Sequence, residues 1–470
     1  MKLLTTGINI ILSLNLVYGS WIDDENGAVK IDQVEESFID SIYGDLVQTS
    51  ESYEYKLKLY NEGKLKVYKE EEYKENDLEF MLNQLLESQE YSTFSEYLES
   101  SSSVNYAINS HNAFRKYKSK ANYPDDDDTS DLLTIDKFGG ILTFGHFKYF
   151  NCFNPKSNSK KIDIAIVGAP FDTGVSFRPG ARFGPEAIRQ ASRRGFGRTP
   201  VRGNGKPNSK LSKVDPYNTS LSIIDCGNIP MTPYDNRIAL NQLYRGERAI
   251  HNHEPTISAN GSPKIITMGG DHTITLMALK SAYEKYGKVS VLHFDSHIDT
   301  WNPKILGGGI TNYMSLNHGT FLHYAAENGY LNTSSCMHLG LRAPYISAEY
   351  DIKHDHECGF ETITARDFDN VGRDEIIERV KERVGNSPVY ISVDIDVLDP
   401  SNAPGTGTME VGGWTTRELL SVIDGLEGIN LIGADVVEVS PPFDTNSEIT
   451  SLAATAVIDS FLGLMIVQDL

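Results

Sequence analysis

Three side chains of metal-binding type follow one apolar run in the stretch VLHFDSHIDTW, residues 291–301. Asp295, His297 and Asp299 each lie two positions from the next. In an extended chain, residues i and i+2 point to the same side, so the three side chains can share one face where the strand ends. Carboxylate oxygens and imidazole nitrogens bind ions such as Mn²⁺, Fe²⁺ and Zn²⁺. The spacing therefore indicates a metal site.

Similar residues end three other apolar runs: His272 after GGD, Asp394 and Asp396 in DID, and Glu438 in VVEVS. Sites in open α/β sheets form at the carboxyl ends of the strands, so one fold can bring these groups together. Taken singly, Asp396 is better explained as a turn or helix cap and His272 as a core histidine. Four aspartates and two histidines at matched strand ends weaken that explanation. Four carboxylates and two imidazoles without sulfur favour two divalent ions such as Mn²⁺ over a single zinc, because crowded carboxylates require cations.

The elements that must position these residues alternate from about residue 131 onward. Strands are expected at 162–172, 221–228, 264–272, 289–297, 336–342, 388–396 and 429–440, and helices at 184–194, 275–287, 373–385 and 415–428. Val-, Ile- and Leu-rich strands separated by single helices indicate a parallel sheet covered on both faces. The predicted fold class is α/β, a three-layer α/β/α arrangement with a mostly parallel sheet, preceded by an acidic N-terminal extension.

Several motifs within 131–470 together resemble the ureohydrolase family, which includes the arginases and agmatinases. They are GGDHTIT, HFDSHIDT, SVDIDVLDPSNAPGTGT and VVEVSPPFD, in that order. GAPFDTGVSFRPGARFGPEAIRQAS and NHGTFLHYA look more like agmatinase than arginase. The resemblance implies an arginase/deacetylase-like fold and a hydrolase, and it does not extend to residues 21–130.

The resemblance also implies which residues hold two Mn²⁺ ions per subunit. One ion is expected on His272, Asp295, Asp299 and Asp394, and the second on Asp295, His297, Asp394 and Asp396, so that Asp295 and Asp394 bridge the two ions. All six ligands are present, which argues against an inactive relative. Ser296 and Ile298 differ from the commoner DAHTD pattern, but neither is a ligand, so we expect tuning of the site and not its loss.

By the same resemblance, water activated by the metal ions attacks the guanidinium carbon of a small guanidino substrate, and urea and an amine are released. Asp299 is expected to accept a hydrogen bond from the attacking group and then to carry a proton. Glu438 is expected to pair with the planar guanidinium, and Thr408 to contact the same end. His318 in HGT is the expected proton shuttle to the leaving amine. A surface-loop histidine is the alternative for His318.

Trp301 indicates which guanidino compound is the substrate. Arginases carry at this position an asparagine that helps to hold the α-carboxylate of arginine, so Trp301 argues against arginine. Agmatine has a free ammonium, which Trp301 can meet by a cation–π contact, although packing alone would also explain the residue. The predicted reaction is cleavage of agmatine to urea and putrescine. A guanidino acid such as guanidinobutyrate stays open as the substrate and, less readily, arginine.

Two functions of other classes also stay open. A non-catalytic secreted binding protein would have the acidic extension as its active part, and the intact ligand set counts against it. A deacetylase-like hydrolase acting on acylated amines would release acetate in place of urea. Glu438 and the APGTG loop weigh against that second reaction.

The N-terminal part differs in composition from the rest. Residues 1–19 are expected to be a signal peptide, because Lys2 precedes a mostly apolar run that is short for a membrane span. Residues 20–130 are expected to form a loosely ordered acidic extension, with helix at 75–98, since 21–130 contain 25 acidic and 11 basic residues. Residues 131–470 are the expected catalytic domain. Three N-x-S/T sequons, at Asn218, Asn260 and Asn332, fit a secreted or cell-surface glycoprotein.

The remaining expectations concern partners, cysteines and the C-terminus. A net charge of −21 argues against nucleic-acid binding. The four cysteines can form up to two disulfides in an oxidising compartment or can be free and buried; they are Cys152, Cys226, Cys336 and Cys358. The apolar stretch 449–470 is interrupted by Asp459 and predicts a core helix, so no membrane span is expected in the mature chain. The resemblance implies a homo-oligomer, a trimer or a hexamer.

Overall fold

The computed structural model describes residues 22–23, 29–30, 140–154, 160–194, 211, 215–217, 219–257, 261–307 and 314–468. The expected signal peptide at 1–19 lies outside these residues, as does the expected extension apart from two short strands. These strands, β1 (Ile22–Asp23) and β2 (Val29–Lys30), pair in antiparallel orientation. The domain boundaries at 19/20 and 130/131 therefore stay predictions.

A nine-stranded parallel sheet forms the centre of the molecule. Its strands are β3 (Lys148–Tyr149), β4 (Ile164–Ala169), β5 (Ile223–Asn228), β6 (Lys264–Gly269), β7 (Ser290–Phe294), β8 (Cys336–Leu341), β9 (Phe360–Thr364), β10 (Pro388–Asp394) and β11 (Asn430–Val437). Their spatial order is β3-β5-β4-β6-β11-β10-β7-β8-β9, and every neighbouring pair is parallel. All seven expected strands are confirmed. The two additional strands, β3 and β9, lie at the edges of the sheet.

Helices cover both faces of this sheet. In the described chain they are α1 (Gly184–Ser192), α2 (Asn236–His251), α3 (Thr275–Tyr286), α4 (Phe321–Glu327), α5 (Ala348–Cys358), α6 (Asp367–Val384), α7 (Thr416–Gly425) and α8 (Ile449–Gln468). One hydrophobic core contains side chains of α1, α6, α7 and α8 together with Ile164 and Ile166 of β4. The other contains side chains of α2, α3, α4 and α5 together with Ala165 and Val167 of the same strand. Alternate strand residues point to opposite faces, so the predicted three-layer α/β/α arrangement is confirmed.

Helix termini follow local sequence signals. Thr415 and Glu418 form a reciprocal capping box at the start of α7, and Asp235 accepts a hydrogen bond from the Ile238 backbone at the start of α2. Within α6, Gly372 has a φ of 79° and interrupts the helical geometry, which agrees with the predicted start of a regular helix at 373.

The C-terminal helix α8 is a core helix, as predicted. It is the one helix in the described ranges with the length and hydropathy to cross a membrane, and 78% of its most apolar window is buried inside the protein. A disulfide joins Cys152, just after β3, to Cys226 in β5, whereas Cys336 and Cys358 are free and buried. The cysteines thus form one of the two bridges that the sequence allows.

Candidate metal centre

The four strands that carry the expected site residues are neighbours at the middle of the sheet, in the order β6-β11-β10-β7. Asp394 is the last residue of β10, Asp295 and Glu438 directly follow β7 and β11, and His272 lies three residues beyond β6. Because all four strands run in the same direction, their carboxyl ends meet at one edge. The predicted clustering of these residues is therefore observed.

A first group of ligand atoms surrounds Nδ1 of His272. This nitrogen lies 3.1 Å from Oδ2 of Asp295, 3.2 Å from Oδ2 of Asp299 and 3.4 Å from Oδ2 of Asp394. All four side chains are almost completely buried. They are the four residues expected to hold the first ion.

A second group surrounds Nδ1 of His297. This nitrogen lies 3.3 Å from Oδ1 of Asp295 and 3.1 Å from Oδ2 of Asp396. Asp295 thus directs one oxygen to each group, as a bridging ligand must. Asp394 adjoins this group as well, because its Oδ1 accepts a 2.8 Å hydrogen bond from the Asp396 backbone. The structure brings all six expected ligands together, and their assignment to two ions stays a prediction.

His293 joins the first group, although sequence reasoning did not select it. Its Nε2 lies 3.1 Å from Oδ2 of Asp295. Its Nδ1 lies 2.8 Å from Nδ1 of His338, whose Nε2 lies 2.9 Å from Oδ1 of Asp355. The signal was present in HFDSHID, because His293 continues the i, i+2 spacing of Asp295, His297 and Asp299.

The hydrogen bonds from His293 through His338 to Asp355 indicate whether the cluster fits a cation. A carboxylate only accepts hydrogen bonds, so the Nε2 proton of His338 points to Asp355 and, with both rings neutral, Nδ1 of His338 accepts from His293. The remaining nitrogen of His293, Nε2, then directs a lone pair at a carboxylate oxygen. Among the described residues, His272 Nδ1, His293 Nε2 and Asp295 Oδ2 are buried without a hydrogen-bond partner. Buried polar atoms are normally satisfied, so three unsatisfied atoms at one point fit a bound cation.

The pKa values of the cluster residues also indicate that the cluster fits a bound cation. Burial and the charges of Asp396 and Asp295 raise the pKa of Asp394 well above its ordinary value. Burial and the charge of Asp295 raise the pKa of Asp299 to about 6. Burial opposes a charge on His272, but the surrounding carboxylates raise its pKa well above the ordinary value. Bound protons thus offset the negative charge of the cluster, and divalent ions would displace them.

Residues outside the ligand set hold His272 and Asp396 in place by hydrogen bonds. Nε2 of His272 lies 2.7 Å from Oγ of Ser392, which donates a 2.6 Å hydrogen bond to Asp435. Ser296 donates a 2.7 Å hydrogen bond to Oδ1 of Asp396. Such partners orient a ligating imidazole or carboxylate. Sequence reasoning missed Ser392 and Asp435 because they lie within strands and meet only when β10 pairs with β11.

Glu438 and His318 lie together beside the cluster. Oε1 of Glu438 accepts a 3.0 Å hydrogen bond from the His272 backbone and lies 3.1 Å from Nδ1 of His318. Nε2 of His318 accepts a 3.0 Å hydrogen bond from the backbone of Ser176. Buried Asp271, also absent from the predicted set, adjoins this pair, and burial together with the charge of Glu438 raises its pKa to about 7. His318 is thus mostly buried, with its side chain 12% exposed, and it pairs with Glu438, while its role as a proton shuttle stays a prediction.

The other two expected substrate residues also adjoin the cluster. Oγ1 of Thr408 lies 3.4 Å from Oδ2 of Asp396. The ring of Trp301 lies 6.3 Å from that of His297, and its Nε1 donates a 3.3 Å hydrogen bond to Asp351. Trp301 is only 8% exposed, so much of its surface is taken up by packing. Its contact with substrate stays a prediction.

Two residues of the site have an unusual backbone conformation. Asp299 has a φ of 52° and Glu438 a φ of 60°. This left-handed region is uncommon for residues other than glycine, and such residues are concentrated at functional sites. Glu438 directly follows β11 and Asp299 lies five residues beyond β7, and both direct a carboxylate toward His272.

The three-layer α/β/α fold thus carries a buried carboxylate–imidazole cluster whose residues could hold metal ions. A family model described as "Arginase family" matches residues 162–463. The chain belongs to this family, and it is a ureohydrolase, an enzyme that hydrolyses guanidino groups.

Individual relatives cover most of the second part of the chain. A protein of Schizosaccharomyces pombe named "Putative agmatinase 1" is 46% identical over 338 residues, which cover 70% of this chain and 83% of the relative. The guanidinobutyrase of Pseudomonas aeruginosa is 35% identical over 323 residues, which cover 69% of this chain and 92% of the relative. The solved structure of proclavaminate amidino hydrolase from Streptomyces clavuligerus has a TM-score of 0.59 at 31% identity, covering 71% of this chain and 99% of the other.

Proposed function

We propose that this chain is a manganese-dependent ureohydrolase that cleaves agmatine to urea and putrescine. The observation that carries the proposal is the pairing of Glu438 with His318 directly beside the buried cluster, 3.1 Å apart. A fixed carboxylate suits the planar guanidinium of the substrate, and an adjacent imidazole can pass a proton to the leaving amine. The 46% identical relative named as an agmatinase supports the choice of substrate.

The two ions would be held by the six expected ligands. His272, Asp295, Asp299 and Asp394 would hold one Mn²⁺, and Asp295, His297, Asp394 and Asp396 the other. The sulfur-free, carboxylate-rich donor set favours manganese. When bound, such a pair of ions supplies the Lewis acidity that makes water a nucleophile near neutral pH.

The protein side chains would then orient the substrate and move protons. Glu438 is 1% exposed, and its Oε1 is held by the His272 backbone, so its carboxylate is preoriented for the guanidinium. Asp299 faces the cluster and would take the proton of the attacking water. The backbone of Ser176 donates to Nε2 of His318, which places the proton of a neutral His318 on Nδ1, toward Glu438. Proton transfer to the leaving amine would pass through this imidazole.

A guanidino acid is the second candidate substrate, and one residue favours it. Arg178 is exposed, and its guanidinium carbon lies 5.0 Å from the ring centroid of Phe177 and 5.4 Å from that of Phe443. The Arg178 carbonyl borders Gly407, because a Cβ added to that glycine would lie 2.6 Å from it. A cation beside the Thr408 loop could meet the carboxylate of guanidinobutyrate, as the 35% identical guanidinobutyrase suggests.

Secretion and self-association complete the proposal. The N-terminal apolar segment and the Cys152–Cys226 disulfide support a secreted or cell-surface glycoprotein, because disulfides persist in oxidising compartments. Membership of the arginase family supports a trimer or hexamer of identical chains. Size-exclusion chromatography with light scattering would measure the assembly.

Urea release by purified, manganese-loaded protein is the decisive test. The substrates are agmatine, arginine, guanidinobutyrate and guanidinopropionate, each with and without chelator, and Asp295→Asn is the inactive control. Chelator-sensitive urea from agmatine alone is expected. Urea mainly from a guanidino acid would overturn the substrate, and no urea from any of the four with metal bound would overturn catalysis on these compounds in favour of a binding role.

A further inference from the structure

Helices α4 and α5 bring together a second set of ligand-type side chains, separate from the candidate metal centre. His323 lies on α4, and His354 and Cys358 lie one turn apart on α5. Nδ1 of His323 is 3.0 Å from Nε2 of His354, and the same Nε2 is 3.8 Å from Sγ of Cys358. One ligand atom from each residue lies within 4.8 Å of the other two.

These separations match the edges of a tetrahedral zinc site. With Zn–N bonds of about 2.05 Å and a Zn–S bond of about 2.3 Å, two nitrogens would be about 3.3 Å apart and a nitrogen and sulfur about 3.6 Å apart. The observed 3.0 Å and 3.8 Å lie within a few tenths of an ångström of these values. Two of the three donor–donor separations therefore suit a zinc ion, and the third is within 4.8 Å.

The surroundings of the set also suit a cation. Nε2 of His323 lies 3.8 Å from Oε2 of Glu327, one turn further along α4. This distance is longer than a hydrogen bond, but it places a negative charge beside the imidazole that would bind the cation. Asp355 and Glu327 carry negative charges near Cys358, whereas Glu357 lies 3.7 Å from Lys353. The His323 side chain is 14% exposed, which leaves a route from solvent.

We propose that His323, His354 and Cys358 form a second metal site, which takes a borderline-soft divalent ion such as Zn²⁺ and ties α4 to α5. Binding forms one metal–sulfur and two metal–nitrogen bonds, and the proton of the Cys358 thiol passes to solvent. Water would fill the fourth position, because the described residues offer three donors. Sulfur distinguishes this site from the carboxylate-rich centre, so manganese and zinc would separate between the two.

The position of the site suggests a positioning role. Helix α4 begins directly after the HGT segment that contains His318, and Asp351 on α5 accepts the hydrogen bond of Trp301. Asp355, also on α5, ends the hydrogen-bond chain that starts at His293. A metal joining the two helices would hold the supports of the catalytic edge in register.

Sulfur-to-metal charge-transfer absorption tests the site independently of catalysis. Manganese-loaded protein is titrated with Cd²⁺ and, separately, with Co²⁺, and the near-ultraviolet absorption is recorded. A sulfur-to-metal charge-transfer band requires a metal–sulfur bond, so it reports binding at Cys358 directly. Because the candidate metal centre has no sulfur, ions that exchange into it give no such band. We expect the band to saturate at one ion per chain.

Matched variants assign the band. Cys358→Ser should abolish it and His354→Gln should weaken binding at least tenfold, whereas Cys336→Ser, which alters the other free buried cysteine, should leave it unchanged. Circular dichroism of each variant verifies folding. Absence of the band in the unaltered protein, or its loss in Cys336→Ser with retention in Cys358→Ser, would overturn the proposal. The absorption is recorded without substrate, so these outcomes and the test of urea release can be told apart.

Discussion

Glu438 receives its position from both its neighbours and its backbone. The residue directly follows β11, and its φ of 60° turns the carboxylate toward the backbone of His272 and the ring of His318. A glutamine in its place would keep the shape and lose the negative charge. The proposed pairing with guanidinium depends on that charge.

We therefore expect Glu438→Gln to lower kcat/KM for agmatine by about 100-fold, equivalent to about 2.7 kcal/mol, because the charge-assisted pair is lost. Initial rates of urea release measure the effect. Glu448→Gln is the matched control, since Glu448 also has a positive φ, of 55°, but is exposed. Equal losses in the two variants, or none in Glu438→Gln, would contradict the assigned role.

The second prediction concerns His293 and the affinity of the metal centre for Mn²⁺. Burial lowers its pKa to about 3, so the ring is neutral near pH 7 and presents a lone pair toward Asp295. His293→Gln should raise the Mn²⁺ concentration for half-maximal activity about 10- to 100-fold, because an imidazole lone pair directed at the ion cluster is lost. Manganese titration of the metal-free enzyme measures it. His251→Gln, which alters a buried histidine of α2, should leave the titration unchanged.

The residue scale also shows what the sequence could predict. Asp295, His297 and Asp299 follow from i, i+2 spacing at one strand end, and that rule would also have found His293. Asp435 and Ser392 have no such local pattern, because their contact depends on the pairing of two strands far apart in sequence. Local spacing predicts which side chains share a face, whereas support from another strand requires the sheet order.

At the scale of elements, buried strands were predicted better than amphipathic helices. All seven apolar runs form strands, but β9, FETIT, has exposed Glu361 and Thr362 and lacks the continuous apolar run that marks a central strand. Helices α2, α4 and α5 were not predicted: α4 has only seven residues, and NRIALNQLYRGERAIH of α2 and AEYDIKHDHEC of α5 are largely polar. Their burial comes from packing on the sheet. The adjacency β6-β11-β10-β7 could be inferred only from the resemblance, since strand order is not encoded in local pattern.

Helix α2 contains a buried acid that makes stability depend on pH. Glu247 is 1% exposed and accepts a 2.7 Å hydrogen bond from Thr267 of β6. Burial raises its pKa from 4.5 to about 7, with the hydrogen bond opposing and Asp435 adding to the rise. A raised pKa means that the folded state holds the proton more tightly. This stabilisation is complete below pH 4.5 and is lost as the pH rises through about 7.

Glu247→Gln removes that titration and keeps a hydrogen-bond acceptor. Relative to the unaltered protein, the variant should gain up to about 3 kcal/mol in free energy of unfolding between about pH 4.5 and about pH 8. Urea denaturation of both proteins across this range measures the difference in their free energies of unfolding. The metal centre is the same in both proteins, so its titration does not contribute to this difference. A pH-independent difference would show that Glu247 titrates normally in the folded protein. Glu284→Gln is the control: Glu284 is exposed on α3 and, although partial burial opposes the shift, hydrogen bonds from Lys280 and Tyr244 lower its pKa, so this variant should not gain stability as the pH rises.

At the scale of the whole molecule, cysteine chemistry distinguishes two regions. The Cys152–Cys226 disulfide joins the segment after the edge strand β3 to β5, across a sequence separation of 74 residues. Cys336 and Cys358 are free. Cys336 lies on β8, near the opposite edge of the sheet from β3, and Cys358 lies at the end of α5. A disulfide that closes so long a loop removes much conformational freedom from the unfolded chain.

The last prediction links this bond to the proposed secretion. The double variant Cys152→Ser, Cys226→Ser should lose about 4 kcal/mol of unfolding free energy, because loop closure over this separation is no longer imposed on the unfolded state. Urea denaturation of oxidised protein measures the loss, and reductant should destabilise the unaltered protein similarly. Cys336→Ser controls for placing a hydroxyl at a buried cysteine and should stay sensitive to reductant. If protein from an oxidising secretory host showed no bridge in peptide mass spectrometry, the disulfide would cease to support secretion, whereas a bridge together with a mature N-terminus at residue 20 would establish both processing and compartment.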